Sequence, residues 1–385
     1  MTHFASRLAD IEPFQVMDIL ARARALEAQG RSIVHLEIGE PDFPTAPGIV
    51  EAGIAALKAG HTHYTSALGL PALREAIAAS YPATCRPDAA QIVITPGASG
   101  ALLLVSAALI TPGDQVLLAD PGYPCNRRFV RLFEGEAVSV PVGADTGYQL
   151  DAKLIRRHWT RKTMAVMITS PSNPTGTMVS SAEMARIVET VRELGGVLIV
   201  DEIYHGLTYG VDAVSALAHS NDVFVINSFS KYYGMTGWRL GWIVAPPVYV
   251  SALDKLSQNF FTAAGTLSQH AALAAFTAPV HEELEKRREI FRERRDYLLP
   301  ALRELGFDIP VTPEGAFYVY ADCSRFTDDS ERFARELLEQ AGVAITPGRD
   351  FGSHRARQHV RFSYANAREH LEEGIRRLAQ SLRRT

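Results

Sequence analysis

The sequence is short of cysteine and of long apolar runs, and it shows no low-complexity segment. Its 385 residues include three cysteines, Cys85, Cys125 and Cys323, an odd and scattered set that supports neither a disulfide framework nor a zinc cluster. The apolar run 101–110 is well short of the roughly 20 residues that a membrane-spanning helix needs. Residues 1–14 have no secretory-signal pattern. We therefore expect a cytoplasmic protein.

The charge and composition are those of an ordinary globular protein and do not indicate a nucleic-acid-binding or membrane-binding one. A net charge of −4, with 47% hydrophobic and 21% charged residues, is ordinary for a globular chain and gives no reason to expect a nucleic-acid or membrane partner. The twelve histidines lack carboxylates at metal-ligand spacing, so no metal site is predicted. The length suggests about two or three domains.

Apolar strand-like runs alternate with amphipathic stretches, and the runs end in polar turns. Amphipathic stretches such as 181–194 are typical of crossover helices and favour a largely parallel sheet. In an open α/β sheet, ligands bind at the carboxyl ends of the strands, so distant segments are expected to meet in one pocket. The polar turns begin at Thr95, Asp120, Ser170, Asp201 and Ser228.

The segment 228–241 combines one lysine with flanking hydroxyls and a downstream arginine. The amine of Lys231 can form a Schiff base once it is deprotonated, and the pKa of a lysine falls readily on desolvation. Ser228, Ser230 and Arg239 can hold a phosphate. These features match the needs of a phosphate-bearing aldehyde cofactor, although an ordinary surface lysine in a Ser/Gly loop is the alternative.

Two earlier strand ends carry groups that suit the ring of such a cofactor. Asp201 follows the apolar run 197–200, where a carboxylate can pair with a pyridinium nitrogen, and the Tyr204 hydroxyl can reach the ring oxygen. Asn173, in the turn 170–176, can donate to the same oxygen. The alternatives are a helix N-cap for Asp201 and a turn selected only for its shape for Asn173.

The order of these segments resembles the class I pyridoxal-phosphate-dependent aminotransferases of fold type I, over about residues 36–365. The family's Asn-Pro-Thr-Gly, Asp-Glu-x-Tyr and Ser-x-Ser-Lys motifs match Asn173, Asp201 with Tyr204, and Lys231. The resemblance implies that pyridoxal 5'-phosphate is bound as a Schiff base to Lys231. It further implies transfer of the amino group of an L-amino acid to a 2-oxo acid by a ping-pong mechanism.

Further positions match this family. From the residues alone, the turn 95–100 is an anion site of modest specificity at a helix start. Tyr123 is as well explained by packing, and Arg361 by an internal salt bridge. The resemblance instead implies a glycine loop with Gly39 near the substrate carboxylate, a phosphate-binding turn with Gly97, Ala98 and Ser99, a ring-stacking Tyr123 and an Arg361 that binds the α-carboxylate.

The resemblance also implies a homodimer with shared active sites. Tyr64 matches the tyrosine that reaches the phosphate of the neighbouring subunit, and a buried packing role is the alternative. Phe14, Val16 and Met17 are expected to close over the substrate, or else to form the apolar face of the first helix.

We expect an α/β fold with a three-layer large domain, built on a mainly parallel sheet, and a smaller α+β domain. The large cofactor-binding domain is predicted at 48–285, and the smaller domain at 1–47 and 286–385. In the C-terminal part, the pattern predicts a strand region at 309–321, a helix at 331–341, and strands at 343–345 and 359–364.

Other functions stay open at this point. A β-eliminating lyase of the same fold uses the same carbanion. The run 228–231 also fits the Ser-x-x-Lys pattern of acyl transferases, although the Lys-Thr-Gly that such enzymes require is absent. A non-enzymatic cofactor-binding regulator would need a DNA-binding module, for which we expect no room before Leu36. The substrate side chain is not fixed, and Arg127 with Arg128 either binds a second carboxylate or forms a solvated pair.

Overall fold

The computed structural model describes residues 4–383. Its strands are β1 (Val34–His35), β2 (Ile92–Thr95), β3 (Gln115–Asp120), β4 (Glu136–Pro141), β5 (Thr163–Thr169), β6 (Val197–Asp201), β7 (Phe224–Ser228), β8 (Gly241–Val244), β9 (Tyr318–Asp322), β10 (Val343–Ala344), β11 (Thr346–Pro347) and β12 (His359–Ser363). Its α-helices are α1 (Gln15–Glu27), α2 (Pro47–Lys58), α3 (Pro71–Ser80), α4 (Gly97–Leu109), α5 (Pro124–Leu132), α6 (Ala152–His158), α7 (Ser181–Glu193), α8 (Pro247–Phe260), α9 (Thr266–Leu273), α10 (Ala278–Leu305), α11 (Ser330–Glu336) and α12 (Arg368–Leu382).

Seven strands form one sheet in the order β2-β8-β7-β6-β5-β3-β4. The pairs from β7 through β4 are parallel, and only β8 runs against its two neighbours. The carboxyl ends of β2, β3, β5, β6 and β7 therefore lie at one edge, as the sequence predicts. These strands end at Thr95, Asp120, Thr169, Asp201 and Ser228.

Helices cover both faces of this sheet, because successive side chains of each buried strand point to opposite faces. Ile94, Leu117 and Leu198 belong to the core beneath α2, α3, α7 and α9. Their chain neighbours Val93 and Ile199 belong to a second core with residues of α4, α5 and α8. The expected three-layer α/β arrangement is confirmed.

A second, smaller core holds the C-terminal part together. Here β12 is the central strand of the antiparallel sheet β11-β12-β9, and Arg361 lies opposite Thr346 on one side and Tyr320 on the other. The short β1 pairs with β10, so the N-terminal segment joins this part. The predicted domain limits stay a prediction, since α10 runs unbroken through 285/286.

Two predicted strands are wrong in extent, and one predicted helix has the expected extent but changes its form. Of the strand region predicted at 309–321, only the end is a strand, β9 at Tyr318–Asp322. Pro310 and Pro313 have no N–H with which to pair with a neighbouring strand, and Ala316 has a φ of 58°. The helix predicted at 331–341 is helical throughout, but its last turn widens to a π-helix at Leu337–Ala341.

In the run 343–345 only Val343–Ala344 is a strand, β10, and after Ile345 the chain enters β11 at Thr346–Pro347, which joins a different sheet. No helix within residues 4–383 combines the length and the apolar character that crossing a bilayer demands.

Candidate active site

A cavity of about 320 Å³ opens at the strand ends. Thr169 ends β5, Asp201 ends β6, and Ser230 follows β7, so the convergence expected from the sequence is confirmed. Twelve of the predicted site residues line this cavity, namely Val16, Gly39, Ala98, Ser99, Tyr123, Asn173, Asp201, Tyr204, Ser230, Lys231, Arg239 and Arg361.

Lys231 holds its amine inside the cavity. Its Nζ donates a hydrogen bond to the Gly39 carbonyl oxygen at 2.6 Å. Burial, together with the positive charges of Arg361 and Arg239, lowers the pKa of Lys231 to about 8, and the negative charge of Glu40 opposes the shift. The amine is therefore partly neutral near physiological pH, as a nucleophilic lysine has to be.

Asp201 is a buried carboxylate at the end of β6. It accepts a hydrogen bond from the Ile203 amide at 3.1 Å, and no cation among residues 4–383 forms an ion pair with it. Burial raises the pKa of Asp201 to about 7, against the effect of the Ile203 amide and of the positive charge of Lys231. A cationic N–H placed beside it would favour its ionised form.

Arg361 is a buried cation that has no carboxylate partner among the described residues. Its Nη1 donates to Asn173 Oδ1 at 2.9 Å, and its Nη2 donates to the Glu37 carbonyl oxygen and to Thr346 Oγ1. The guanidinium lies 4.3 Å from the centroid of the Tyr318 ring. Its Nε is buried and finds no acceptor within residues 4–383. The internal salt bridge considered from the sequence is absent there, and the guanidinium keeps a free donor for a carboxylate.

The turn from β2 into α4 offers backbone donors beside a second cation. The first amides of a helix have no intrahelical partner, and Ala98 and Ser99 line the cavity at the start of α4. Gly97 has a φ of 72°, and a Cβ there would lie 2.6 Å from Arg239 Nη2. Glycine at this position therefore admits the Arg239 guanidinium.

Three predicted residues do not line the cavity. Gly97 begins α4 and leaves room for the Arg239 guanidinium, without lining the cavity itself. The Ser228 hydroxyl is buried, 3.0 Å from both the Leu240 carbonyl oxygen and Ser230 Oγ. These two contacts use the hydroxyl within the turn, and Ser228 does not line the cavity. Tyr64 is 83% exposed on this chain, so the buried packing alternative is wrong.

The remaining predicted side chains meet around Tyr318. The hydroxyl oxygens of Tyr204 and Tyr318 are 3.0 Å apart, and a Cβ on Gly39 would lie 2.1 Å from Tyr318 Oη. Tyr123 packs edge-on against Phe14, with 6.2 Å between ring centroids. Phe14 and Val16 belong to the start of α1, whose Gln15 and Val16 amides are held by the Asp350 carboxylate.

Sequence reasoning missed Tyr318 and Glu40. Tyr318 lies in an aromatic strand that is typical of a core, and only its contact with Arg361 reveals its place in the cavity. Glu40 adjoins Gly39 in the glycine loop, and its carboxylate contacts Thr236 Oγ1. A charged residue beside a cofactor-loop glycine is the signal that could have identified it.

The pair Arg127 and Arg128 lies outside the cavity lining. Arg127 Nη2 donates to the Asp350 carbonyl oxygen at 2.9 Å, and Arg128 Nη2 donates to the Pro13 carbonyl oxygen at 3.2 Å. Both guanidinium groups thus hold neighbouring backbone and are not aimed at a ligand in this cavity.

Known proteins share this arrangement. The family model described as "Aminotransferase class I and II" matches residues 31–379. The valine–pyruvate aminotransferase of Mycobacterium tuberculosis is 40% identical over 388 residues, covering 99% of each chain. A crystal structure of an aminotransferase from the same organism superimposes with a TM-score of 0.97, at 39% identity over all of both chains. The aspartate aminotransferase of Thermus thermophilus with maleate gives a TM-score of 0.94 at 34% identity, covering 99% of this chain and 100% of that one.

The chain therefore belongs to the class I and II aminotransferase family. It has the fold type I architecture that the sequence predicts, and it is an aminotransferase.

The lowered pKa of Lys231 is testable on the protein without cofactor. With a pKa of about 8, half of the Lys231 amine is neutral at that pH, against about 0.3% for an ordinary lysine with a pKa near 10.5. We expect acetylation of Lys231 by trace acetic anhydride, followed by peptide mass spectrometry, to rise through a midpoint near pH 8. Exposed Lys255 on α8 serves as the internal reference. A Lys231 midpoint above pH 10 would contradict the role of burial.

Proposed function

We propose that the protein is a pyridoxal-phosphate-dependent aminotransferase that moves the amino group of an L-amino acid to a 2-oxo acid. This proposal is supported most by the meeting of a half-buried Lys231 with a buried Asp201 and a buried Arg361 in one cavity, each without an ion-pair partner of its own among residues 4–383. A neutral amine, a buried carboxylate and a free guanidinium are the three groups that this reaction requires.

The residues present fit the cofactor. The phosphate would be held by Ser230, Arg239 and the α4 amides of Ala98 and Ser99, where Gly97 leaves room for the guanidinium. Asp201 would face the ring nitrogen, whose N–H would supply the cationic partner that this buried carboxylate lacks among residues 4–383. We propose Tyr123 as the stacking residue. Pyridoxal phosphate supplies an aldehyde and a pyridine ring that takes up negative charge.

The chain's own residues would then position the donor and move its proton. Arg361 would bind the α-carboxylate with a donor that no residue among 4–383 uses. Asn173 accepts from Arg361 Nη1 through its Oδ1, so its amide nitrogen and the Tyr204 hydroxyl would be available to hold the ring oxygen. Lys231 would take the proton from the donor's Cα as a general base. Val16, near Phe14 at the start of α1, covers the cavity and excludes water.

A single-turnover assay tests the proposed activity. Protein loaded with pyridoxal phosphate and mixed with an amino donor, without acceptor, should release about one 2-oxo acid per chain and no ammonia. Lys231→Ala should slow this release about a hundredfold or more, the usual contribution of a general base. Lys255→Ala, at an exposed site on α8, is the matched control. Continuous release of ammonia would instead support a β-eliminating lyase, and an unchanged rate in Lys231→Ala would refute the proposal.

The Ser-x-x-Lys alternative finds no support in the geometry. The Ser228 hydroxyl is held by the Leu240 carbonyl oxygen and by Ser230, whereas the Lys231 amine bonds to Gly39. No observation favours a regulator without activity.

We further propose that the donor has an uncharged side chain. The cations that line the cavity are Lys231, Arg239 and Arg361, and each already has a proposed partner. The rest of the wall is largely apolar, with Phe14, Val16, Met17, Leu20, Ile38, Leu102 and Ile203, and it includes the Glu40 carboxylate, which repels a second carboxylate. The name of the mycobacterial relative, valine–pyruvate aminotransferase, agrees with this wall.

The donor class is testable with a panel of amino acids. Valine, leucine and methionine should react with a kcat/KM at least about tenfold above that of aspartate, since an unpaired buried carboxylate costs more than the 1.4 kcal/mol of one tenfold step. Met17→Arg, at an exposed position on the wall, should raise the aspartate-to-valine ratio, and Met17→Gln should not. Preference of the wild type for aspartate would refute an uncharged-donor site.

The homodimer with shared sites is also part of the proposal. Helix α2 buries Ile49 on its inner face but exposes Val50, Ile54 and Leu57, three apolar residues on its outer face. Tyr64 follows a few residues later, exposed and away from the cavity of its own chain. A second copy covering this outer face would bury the apolar residues and bring Tyr64 to the phosphate of its partner.

The cytoplasmic location expected from the sequence stays a prediction.

Mixing two inactive variants tests the shared site. After subunit exchange between Lys231→Ala and Tyr64→Phe chains, each hybrid has one site with both lesions and one intact site. Half of the dimers are hybrids, so the activity should approach about a quarter of the wild type. The comparison mixture combines wild-type chains with chains that carry both substitutions. If the site is shared, the hybrids of this mixture have no intact site. With sharing, only the wild-type dimers of this second mixture are active, so it also falls to about a quarter of the wild type. A monomer in solution, or a first mixture that stays inactive while the second keeps about half of the wild-type activity, would refute sharing.

A further inference from the structure

One short loop holds both cations at the reacting end of the cavity. Arg361 Nη2 donates to the carbonyl oxygen of Glu37, and Lys231 Nζ donates to that of Gly39. Arg361 belongs to β12 and Lys231 to the turn after β7, so the two residues lie far apart in the sequence. Their hydrogen bonds to this loop connect them. The position of residues 37–39 therefore sets where the two cations lie relative to each other.

The side chain of Glu37 is fully buried behind this loop. Its Oε1 lies 2.8 Å from His35 Nδ1, whereas Oε2 is buried and has no hydrogen-bond partner among residues 4–383. Removing a carboxylate from water is costly unless it is paired, and His35 provides its ion pair. Glu37 can thus remain where it is only while His35 holds it.

His35 also reaches the helix that covers the cavity. Its other ring nitrogen, Nε2, lies 3.2 Å from Glu27 Oε1 near the end of α1. The first turns of the same helix place Val16, Met17 and Leu20 on the cavity wall. The His35 ring therefore bridges the covering helix and the loop that holds the cations.

We propose that His35 and Glu37 are positioning residues for the reaction, because their ion pair fixes the loop that places Arg361 and Lys231 and joins this loop to α1. The proposal rests on the roles proposed above for Lys231 and Arg361. Neither residue of the pair lines the cavity, so both act through other groups.

The electrostatics support this role. The hydrogen bond that the His35 ring donates to Glu37 is the main factor that raises the pKa of His35 to about 9, burial opposes it, and Glu27 adds to it. The charged groups facing the ring are Glu37 on its own segment and Glu27 on α1, while Asn366 contacts only its backbone oxygen. Because the folded pKa lies above the ordinary 6.5, the stabilisation is complete below about pH 6.5 and is lost as the pH rises through about 9.

The test uses the cofactor-loaded protein and three conservative variants, His35→Gln, Glu37→Gln and Glu27→Gln. Arg22→Gln is the matched control, since Arg22 also makes an ion pair from α1, with Glu339, but not to the loop. Nitrogen-15 NMR of labelled histidine, assigned by the spectrum of His35→Gln, follows the ring during a pH titration. Calorimetry measures the affinity for 3-methylbutanoate, a carboxylate without an amino group. Donor kinetics and thermal unfolding complete the set.

We expect the wild-type His35 ring to titrate near pH 9 and to move toward 6.5 in Glu37→Gln. The Kd for 3-methylbutanoate and the donor KM should rise at least about fivefold in His35→Gln and Glu37→Gln at pH 7.5, and less in Glu27→Gln. Arg22→Gln should match the wild type. In the wild type, Kd should also rise above pH 9, whereas the His35→Gln variant should lack that additional rise. If Glu37→Gln does not fold, His35→Gln carries the same test.

Titration of the wild-type ring near pH 6.5 would overturn the proposal. So would lowered unfolding temperatures with an unchanged Kd, since the pair would then only stabilise the fold. The NMR titration and the carboxylate affinity do not depend on turnover. A wild type that shows the expected titration and Kd changes but no transamination would refute the proposed activity and leave the positioning role supported.

Discussion

The arrangement of the cavity depends on one buried guanidinium. Arg361 joins the loop after β5 through Asn173, the N-terminal loop through the Glu37 carbonyl oxygen, and β11 through Thr346. Burying a cation is costly, and these acceptors are neutral, so they offset the lost hydration without cancelling the charge. A cation held in this way keeps its attraction for an anion, and it fixes three separate segments around the place where that anion would bind.

The same physics prepares the two groups beside it. Burial lowers the pKa of Lys231 to about 8 and raises that of Asp201 to about 7, because in both cases it disfavours the charged form. Both residues occupy strand ends at one edge of the sheet, where parallel strands deliver side chains from distant parts of the sequence. The fold thus brings together, in one cavity, groups that titrate near neutral pH, and such groups are typical of sites that move protons.

Much of this site was predictable, and the failures have physical causes. Asp201 ends an apolar strand, and Lys231 and Asn173 follow apolar strands within a few residues, so the strand ends mark them in the sequence. Ser228 also ends its strand, but its hydroxyl bonds to the Leu240 carbonyl oxygen and to Ser230, and the strand end does not reveal these contacts. Contacts between distant segments leave no local pattern, which is why Tyr318 was missed. His35 and Glu37 are only two residues apart, but the burial of Glu37 and the link of His35 to α1 through Glu27 depend on the fold. The prolines at 310 and 313 interrupted an apolar run that otherwise has strand composition.

The most direct measurement is a crystal structure of the protein with pyridoxal phosphate and 3-methylbutanoate. Ser230, Arg239 and the start of α4 should form one anion site and Arg361 a second, so that the two anionic ends lie on either side of Lys231 and Asp201. We expect phosphate density at the first site, the carboxylate on Arg361, and the ring nitrogen beside Asp201. Phosphate bound at Arg361, or a ring nitrogen facing away from Asp201, would contradict this arrangement.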